Sequence, residues 1–203
     1  MGRNLEPKCK KCRRIGESVC GSAKCAVTRR SYIPGMHGPK YRPRVSEFGM
    51  QLREKQKAKY TYGVMERQFR GYYEKANKKA GNTGDILMQL LELRLDNVIY
   101  RAGYASTRRQ SRQLVSHGHF LVNGRRCDIP SRHMKVGDVI ELRTKSQGSE
   151  YFEQNKLEMK MHEPPKWLHV DKAANTVKVQ ALPAVDEVER NIAVNLIVEF
   201  YSR

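Results

Sequence analysis

The sequence predicts an α+β fold, in which a helical body carries an inserted module made of one helix and a β-hairpin. Helical periodicity runs through three consecutive segments between residues 46 and 102, and an Asn-Gly pair between two short runs marks a hairpin near residue 123. Four cysteines lie within the first 25 residues. We expect residues 1–45 to form a cysteine knuckle and a basic extended loop. Residues 46–93, completed by 164–203, would form the helical body, and residues 94–163 the helix-and-hairpin domain.

The N-terminal cysteines follow the pattern Cys9-x2-Cys12-x7-Cys20-x4-Cys25, while Cys127 stands apart. The chain has no apolar signal segment and no run of 18 apolar residues, which predicts a cytoplasmic location. In a reducing compartment, two such cysteine pairs favour a tetrahedral zinc site over two disulfides. A closed four-thiolate site would hold one structural zinc ion. The alternative is free or redox-active thiols, and for Cys127 we expect a packing role.

The segment after the knuckle, residues 31–44, is rich in proline and glycine and therefore predicts an extended loop rather than a helix. Basic side chains alternate along it at Lys40, Arg42 and Arg44. An extended basic loop can follow a phosphate backbone, and its Tyr32, Tyr41 and His37 could stack on exposed bases. A disordered linker is the alternative interpretation.

Three helices are predicted next. The first runs from Ser46 to about Tyr60 and ends before Gly63, and the second runs from Val64 to about Lys79 with aromatic residues at helical spacing. The third, residues 85–102, carries a leucine stripe wide enough for burial between other elements. We expect these apolar stripes to form the core.

A fourth helix is predicted to begin at Ser106 or Thr107, with Thr107 and Gln110 forming a capping box, and to end at Gly118. Asn123-Gly124 then predicts a two-residue type I′ hairpin. A strand is expected from Val139, and the C-terminal segments near Trp167, Thr176 and residues 195–200 are expected to be extended.

Positive charge concentrates on this helix and hairpin. Helical spacing places Arg108, Arg109 and Arg112 within an arc of about 100°, and Arg125 and Arg126 follow the turn. A lone arginine pair would be an ordinary solvated face, but five arginines converging on one place favour an anionic partner.

The whole chain supports that interpretation, because 39 Lys and Arg residues against 21 Asp and Glu residues give a net charge of +18. Residues 1–80 hold 21 basic and 6 acidic residues, whereas residues 161–203 hold 5 and 6. Such a field attracts phosphate polymers and makes binding salt-dependent. An anionic membrane surface is the less favoured partner, because the basic residues are not gathered on one amphipathic helix.

Several motifs resemble one family. The runs Arg94-Leu-Asp-Asn-Val-Ile-Tyr-Arg101, Ser106 to Gly118 and Val122-Asn-Gly-Arg125 closely resemble those of bacterial small-subunit ribosomal protein S-four. The flanking motifs resemble that family as well: Pro34 to Gly38, Leu52 to Lys57, Tyr62-Gly63, Glu66 to Arg70 and Leu196 to Arg203. The resemblance extends from Gly2 to Arg203.

This resemblance implies a structural, non-enzymatic protein that binds small-subunit ribosomal RNA near a helix junction of its 5′ domain and helps to start subunit assembly. It also implies contact with ribosomal protein S-five, a position on the channel through which messenger RNA (mRNA) enters, a contribution to decoding accuracy, and no membrane or small-molecule substrate. Zinc would be bound by Cys9, Cys12, Cys20 and Cys25, and Lys40, Arg42 and Arg44 would face the channel. The expected RNA-binding residues are these three and Arg3, Arg13, Arg14, Arg53, Lys55, Lys57, Arg67, Arg70, Arg94, Arg101, Arg108, Arg109, Arg112, His117 and Arg125.

Two other functions are compatible with parts of the sequence. An RNA-modifying enzyme could share the helix-and-hairpin module, but the sequence offers no evident set of nucleophile, base and orienting group. A zinc-containing DNA-binding regulator would need a recognition helix able to read the major groove. RNA-modification assays, and competition between structured RNA and duplex DNA, would distinguish these functions from ribosomal RNA binding.

Overall fold

The computed structural model describes residues 2, 4–40, 44–172, 174–184, 187–188 and 191–203, without the side chains of residues 156–158 and 160. The chain divides into two compact units, residues 1–87 with 189–203 and residues 88–188. Helices dominate the first unit, and a five-stranded antiparallel sheet with helices forms the second. The α+β prediction is therefore confirmed. Within the described residues, no helix has the length and apolar character needed to cross a membrane.

The first unit contains helices α1 (Lys8–Ile15), α2 (Glu47–Thr61), α3 (Glu66–Asn77) and the start of α4 (Thr83–Glu92). Helix α2 begins as predicted, because the Ser46 side chain accepts a hydrogen bond from the Gly49 N–H at 3.2 Å. The last helix, α9 (Val194–Ser202), packs against α2. Its Tyr201 ring stacks on Phe69 and Tyr73.

The prediction that residues 195–200 are extended was wrong, because they belong to α9. Val, Ile and Phe favour strands on average, but packing overrides that preference. Ile197 and Tyr201 are four residues apart and so share one helix face, and Ile197 is fully buried. Burial of that face explains the helix.

Glu66 links three helices of the first unit. Its Oε1 accepts hydrogen bonds from Lys55 Nζ at 2.8 Å and from the Tyr201 hydroxyl at 2.9 Å, and its Oε2 accepts one from Lys59 Nζ at 2.8 Å. Burial alone would raise the pKa of Glu66, but these hydrogen bonds lower it to about 2. Burial and the neighbouring carboxylate raise the pKa of Tyr201, which keeps its hydroxyl available as a donor.

Glu66→Gln is therefore expected to destabilise the first unit at pH 7. The lowered pKa means that the carboxylate stabilises the fold above pH 4.5 and that this contribution is lost as the pH falls towards 2. Because the side chain is 45% exposed, we expect only about 1 to 2 kcal/mol after solvent screening. Urea unfolding followed by helical circular dichroism between pH 2 and 7 measures the effect. Glu74→Gln, which removes only an exposed pair with Arg70, is the control, and an equal loss in both variants would contradict the prediction.

The second unit contains α5 (Leu95–Arg101), α6 (Arg108–Ser116), β1 (Phe120–Val122), β2 (Arg125–Arg126), β3 (Val139–Leu142), α7 (Thr144–Gln147), α8 (Glu150–Met161), β4 (Leu168–Asp171) and β5 (Thr176–Val179). The strands form one antiparallel sheet in the order β2-β1-β3-β5-β4. Helices α7 and α8 were not predicted.

The third predicted helix is interrupted. Residues 85–102 form α4 and α5, separated at Leu93 and Arg94, and Arg94 has an extended backbone with φ −70° and ψ 138°. The backbone around this break pairs with residues 130–134: Leu95 N donates to Arg132 O at 2.9 Å, and Met134 N donates to Leu93 O at 2.8 Å. These long-range hydrogen bonds replace the helical ones, so the continuous leucine stripe gave no sign of the break.

The C-terminal segment also differs from expectation. We expected residues 164–203 to complete the helical body, but β4 and β5 join the sheet of the second unit and only residues 189–203 group with the first. Strand β5 pairs with β3, with Ile140 opposite Val177. Val177 and Val179 are fully buried beside Phe120 and Ile140, so this pairing completes the core over one face of the sheet.

Candidate nucleic-acid interface and metal site

The N-terminal cysteines meet at one place in the first unit. The Sγ atoms of Cys9, Cys20 and Cys25 all lie within 4.8 Å of one another. Helix α1 carries Cys9 and, one turn later, the fully buried Cys12, whose thiol is in hydrogen-bonding contact with Cys20 and Cys25. Burial, with these neighbouring thiols, raises the pKa of Cys12 to about 12.

The donor set fits a zinc ion. All five cysteines of the chain carry free thiols, and the sulfur atoms of a tetrahedral zinc site are about 3.8 Å apart. Burial alone would raise the pKa of Cys25, but hydrogen bonds from Ser18 and the Val27 backbone, among others, lower it to about 7. The structure thus brings together three of the four predicted ligands within one short distance and places the fourth beside two of them.

Some residues that we predicted to bind RNA also make contacts that hold the knuckle in place. Arg13 Nε donates to Tyr32 O at 3.0 Å, and its guanidinium lies 4.7 Å from the Tyr32 ring centroid. Arg53 donates to Ile15 O at the end of α1. These contacts connect α1 to the proline-rich loop and to α2.

Two predicted RNA-binding lysines of α2 are buried. Lys55 is 5% exposed and pairs with Glu66, and Lys57 is 6% exposed and pairs with Glu17 at 2.7 Å. Their ammonium groups neutralise carboxylates inside the unit, so the structure favours a stabilising role for them. Sequence reasoning could not find this, because each partner lies on another element.

The remaining predicted cations of the first unit lie at the surface wherever the structure describes them. The exposed members are Arg14, Lys40, Arg44, Arg67 and Arg70. Arg3 and Arg42 lie outside the described residues. The knuckle also exposes Lys24, Arg29 and Arg30, which were not among the expected RNA-binding residues although their cluster of charge was visible in the sequence.

Helix α6 forms as predicted. The Thr107 side chain accepts a hydrogen bond from the Gln110 N–H at 3.3 Å, and the Gln110 side chain in turn accepts one from the Ser106 N–H at 3.1 Å. The helix is followed by Gly118, whose φ is +72°. A Cβ atom at Gly118 would run into the Arg126 side chain, so glycine also makes room for that guanidinium.

The three arginines of the predicted arc have different environments. Arg109 is exposed, whereas Arg108 and Arg112 are half-buried. Arg108 Nε donates to Asn97 Oδ1 at 2.7 Å and its guanidinium lies 4.5 Å from the Tyr100 ring centroid. Arg112 Nη1 lies 3.5 Å from Asp96 Oδ2. Of these three arginines, Arg109 is the one whose side chain is exposed.

Two further predicted arginines are held by buried carboxylates. Arg94 is 1% exposed and donates to both carboxylate oxygens of Asp96, at 3.0 and 2.7 Å. Arg101 donates to both carboxylate oxygens of Glu92, also at 3.0 and 2.7 Å. Burial assigns Arg94 a structural role, while the half-buried Arg101 remains near the surface.

The predicted hairpin is confirmed. Asn123 and Gly124 have φ values of 51° and 74°, as a type I′ turn requires. The Asn123 side chain donates to Asp138 Oδ1 and accepts from the Val139 N–H, both at 2.9 Å. The exposed Arg125 forms an edge strand with Arg126, the other hairpin arginine of the predicted cluster, which is exposed as well.

The end of α6 and the start of the hairpin place His117 and His119 with their ring centroids 6.0 Å apart. His117 is exposed, as an RNA contact requires. His119 is half-buried and forms a 2.9 Å hydrogen bond with Ser146 Oγ. Burial, with the charges of His117 and Arg143, lowers the pKa of His119, which favours its neutral form at pH 7.

The comparisons with known proteins match the whole chain. A family model described as "Ribosomal protein S4/S9 N-terminal domain" matches residues 3–92, and one described as "S4 domain" matches residues 93–140. Among similar proteins, those named small ribosomal subunit protein uS4 from Syntrophomonas wolfei and Acetivibrio thermocellus are 48% and 50% identical to this chain over 209 aligned residues. The uS4 protein of Persephonella marina is 50% identical over 205. Each alignment covers 100% of both proteins.

Proposed function

Because the chain belongs to the ribosomal protein S4 family, we propose that it is a structural protein of the small ribosomal subunit that binds small-subunit ribosomal RNA directly. The family is one of structural proteins rather than enzymes, and the relatives carry the name of a small-subunit ribosomal protein. The observation that supports RNA binding best is the set of exposed cations on α6 and the hairpin. Within the segment that matches the S4 domain, α6 and the hairpin expose Arg109, His117, Arg125 and Arg126. Cationic side chains on a rigid helix and hairpin suit the phosphate backbone of folded RNA.

Within the ribosome, our proposal includes a role in starting subunit assembly and contacts with ribosomal protein S-five, and it implies a cytoplasmic location. It also places the basic loop at the mRNA channel, where it would contribute to decoding accuracy. The exposure of Lys40 and Arg44 supports that placement, and Arg42 lies outside the described residues. Co-sedimentation of the chain with small ribosomal subunits, and protection of a multi-helix junction of their RNA, is the test. A chain that remains free of subunits would contradict the proposal.

We also propose one structural zinc ion bound by Cys9, Cys12, Cys20 and Cys25. The clustering of three sulfurs within 4.8 Å, with Cys12 one turn after Cys9 on α1, supports it. When bound, the ion would replace a hydrophobic core in a segment where few apolar side chains are buried. The basic residues Lys8, Lys10, Lys11, Arg13 and Arg14 lie on the same helix as two of the ligands and would compensate the negative charge of a four-thiolate site.

Substituting exposed cations tests the RNA-binding surface. The double variant Arg109→Ala, Arg125→Ala should weaken binding to a 5′-domain fragment of small-subunit ribosomal RNA. The slope of log affinity against log salt should fall by about 0.7 to 0.9 for each phosphate that the variant no longer neutralises. Fluorescence anisotropy at several salt concentrations measures both quantities. Lys166→Ala is the matched control, because this exposed lysine precedes β4 at the opposite edge of the sheet from β2. An unchanged slope in the double variant would argue against phosphate binding by these arginines.

A further inference from the structure

Two carboxylates are buried beneath the arginines of α5 and α6. Glu92 is 0% exposed and Asp96 is 4% exposed. Each accepts two hydrogen bonds from one arginine, Glu92 from Arg101 and Asp96 from Arg94. A buried carboxylate is costly unless it is paired and hydrogen-bonded, and both of these are.

Asn97 extends this cluster from Glu92 to Arg108. Its Nδ2 donates to Glu92 Oε2 at 2.5 Å and to the Glu92 backbone oxygen at 2.9 Å, which fixes the orientation of the amide. Its Oδ1 then points to Arg108 and accepts the Nε hydrogen bond at 2.7 Å. The Tyr100 ring packs against the same guanidinium. Arg108 is thus held by two neighbours on α5.

Asp96 contacts the next turn of α6, as Asn97 contacts Arg108. Its Oδ2 lies 3.5 Å from Arg112 Nη1, and the Ser111 hydroxyl donates to the Asp96 backbone oxygen. Three guanidinium groups contact the two carboxylates directly, and a fourth joins the cluster through Asn97, so the cluster keeps a net positive charge. The four are those of Arg94, Arg101, Arg108 and Arg112.

We propose that Glu92, Asp96 and Asn97 are positioning residues that determine RNA specificity, by fixing Arg101, Arg108 and Arg112 in one arrangement before RNA binds. This inference rests on the proposed function and adds to it the origin of selectivity. Neighbouring arginines on one helix repel one another and have many rotamers, so without partners they would bind any polyanion by charge alone. Fixing them in the free protein reduces the entropy lost on binding. This gain in affinity applies only to RNA whose phosphates match the spacing of the fixed arginines, because folded RNA is recognised by its shape.

Asn97→Ala is the test, because it removes the link between Glu92 and Arg108 without removing a charge. We expect affinity for the 5′-domain ribosomal RNA fragment to fall about five- to tenfold, while affinity for an unrelated RNA duplex and the salt slope stay unchanged. In the free protein, the Nε–H of Arg108 should exchange slowly with solvent in the parent chain and rapidly in the variant, as measured by nitrogen-15 NMR. If Asn97 had a merely structural role, Asn97→Ala would not change the affinities for the two RNAs differently.

Two controls keep the test decisive. Ile99→Val trims a fully buried neighbour on α5 and should leave RNA discrimination unchanged while lowering thermal stability. Glu92→Gln keeps the shape of the side chain but weakens its hydrogen bonds with Asn97 and Arg101. It should lose discrimination between the two RNAs as Asn97→Ala does. It replaces Asn97→Ala as the test if that variant unfolds. Equal weakening for both RNAs, the same loss in Ile99→Val, or an unchanged Arg108 exchange rate would overturn the inference. If the parent chain itself fails to discriminate ribosomal RNA from the duplex, the proposed function fails instead.

Discussion

Replacing Asp96 by alanine is expected to destabilise the second unit by about 3 to 5 kcal/mol, because it leaves the guanidinium of Arg94 buried without its carboxylate. That guanidinium makes two hydrogen bonds to Asp96, and the Arg94 side chain is 1% exposed. Arg112 would lose the same partner. We expect this loss of stability to affect the break between α4 and α5, where the Arg94 backbone is extended.

The single tryptophan of the chain makes this measurement specific. Trp167 is buried in the core of the second unit, so its fluorescence during urea unfolding reports on that unit. Asp128→Ala, at an exposed position of the same unit, should change stability by no more than about 0.5 kcal/mol. A change below about 1 kcal/mol in Asp96→Ala would show that Arg94 finds another partner or reaches solvent.

Removing the proposed zinc ion should have the second large effect. Structural zinc contributes about 10 to 16 kcal/mol of apparent binding free energy in small zinc-binding peptides. The knuckle has few other buried groups, mainly Ile15, Lys11, Cys12 and Cys25. After chelation we expect α1 and residues 16–38 to lose protection from hydrogen exchange, since the Arg13 contacts to the loop depend on α1.

The full-length chain, loaded with zinc and then treated with a chelator, is the sample for this experiment. Hydrogen exchange resolved by mass spectrometry should change in residues 8–38, while Trp167 fluorescence stays constant. Cys25→Ser should reproduce the metal-free pattern, and Cys127→Ser, at a buried cysteine of the other unit, should not. Zinc release without any change in exchange would refute a structural role for the ion.

Locally encoded features were predictable from the sequence. The Thr107 cap of α6 and the Asn123-Gly124 turn depend on residues within a few positions of one another, and both are present. The clustering of the cysteines followed from spacing alone. For the cap and the turn, the physical cause, a capping hydrogen bond or a positive φ, acts within one short segment.

Features that depend on distant partners were not predictable. Lys55 and Lys57 have the pattern of surface cations until Glu66 and Glu17 are brought beside them by the fold. The break at Arg94 depends on backbone groups about 40 residues later in the chain. The helix at residues 194–202 depends on α2. A stripe of leucines or a run of β-branched residues indicates that a segment is buried. It does not indicate which distant element packs against that segment.

The edge of the sheet at β2 also affects how the protein behaves before RNA binds. This strand is only two residues long, and both are exposed arginines. A second chain that tried to add a strand there would bring its own arginines against these, at a cost in electrostatic repulsion. The same charges that suit a nucleic-acid partner would therefore discourage self-association and keep newly made chains from aggregating through this edge.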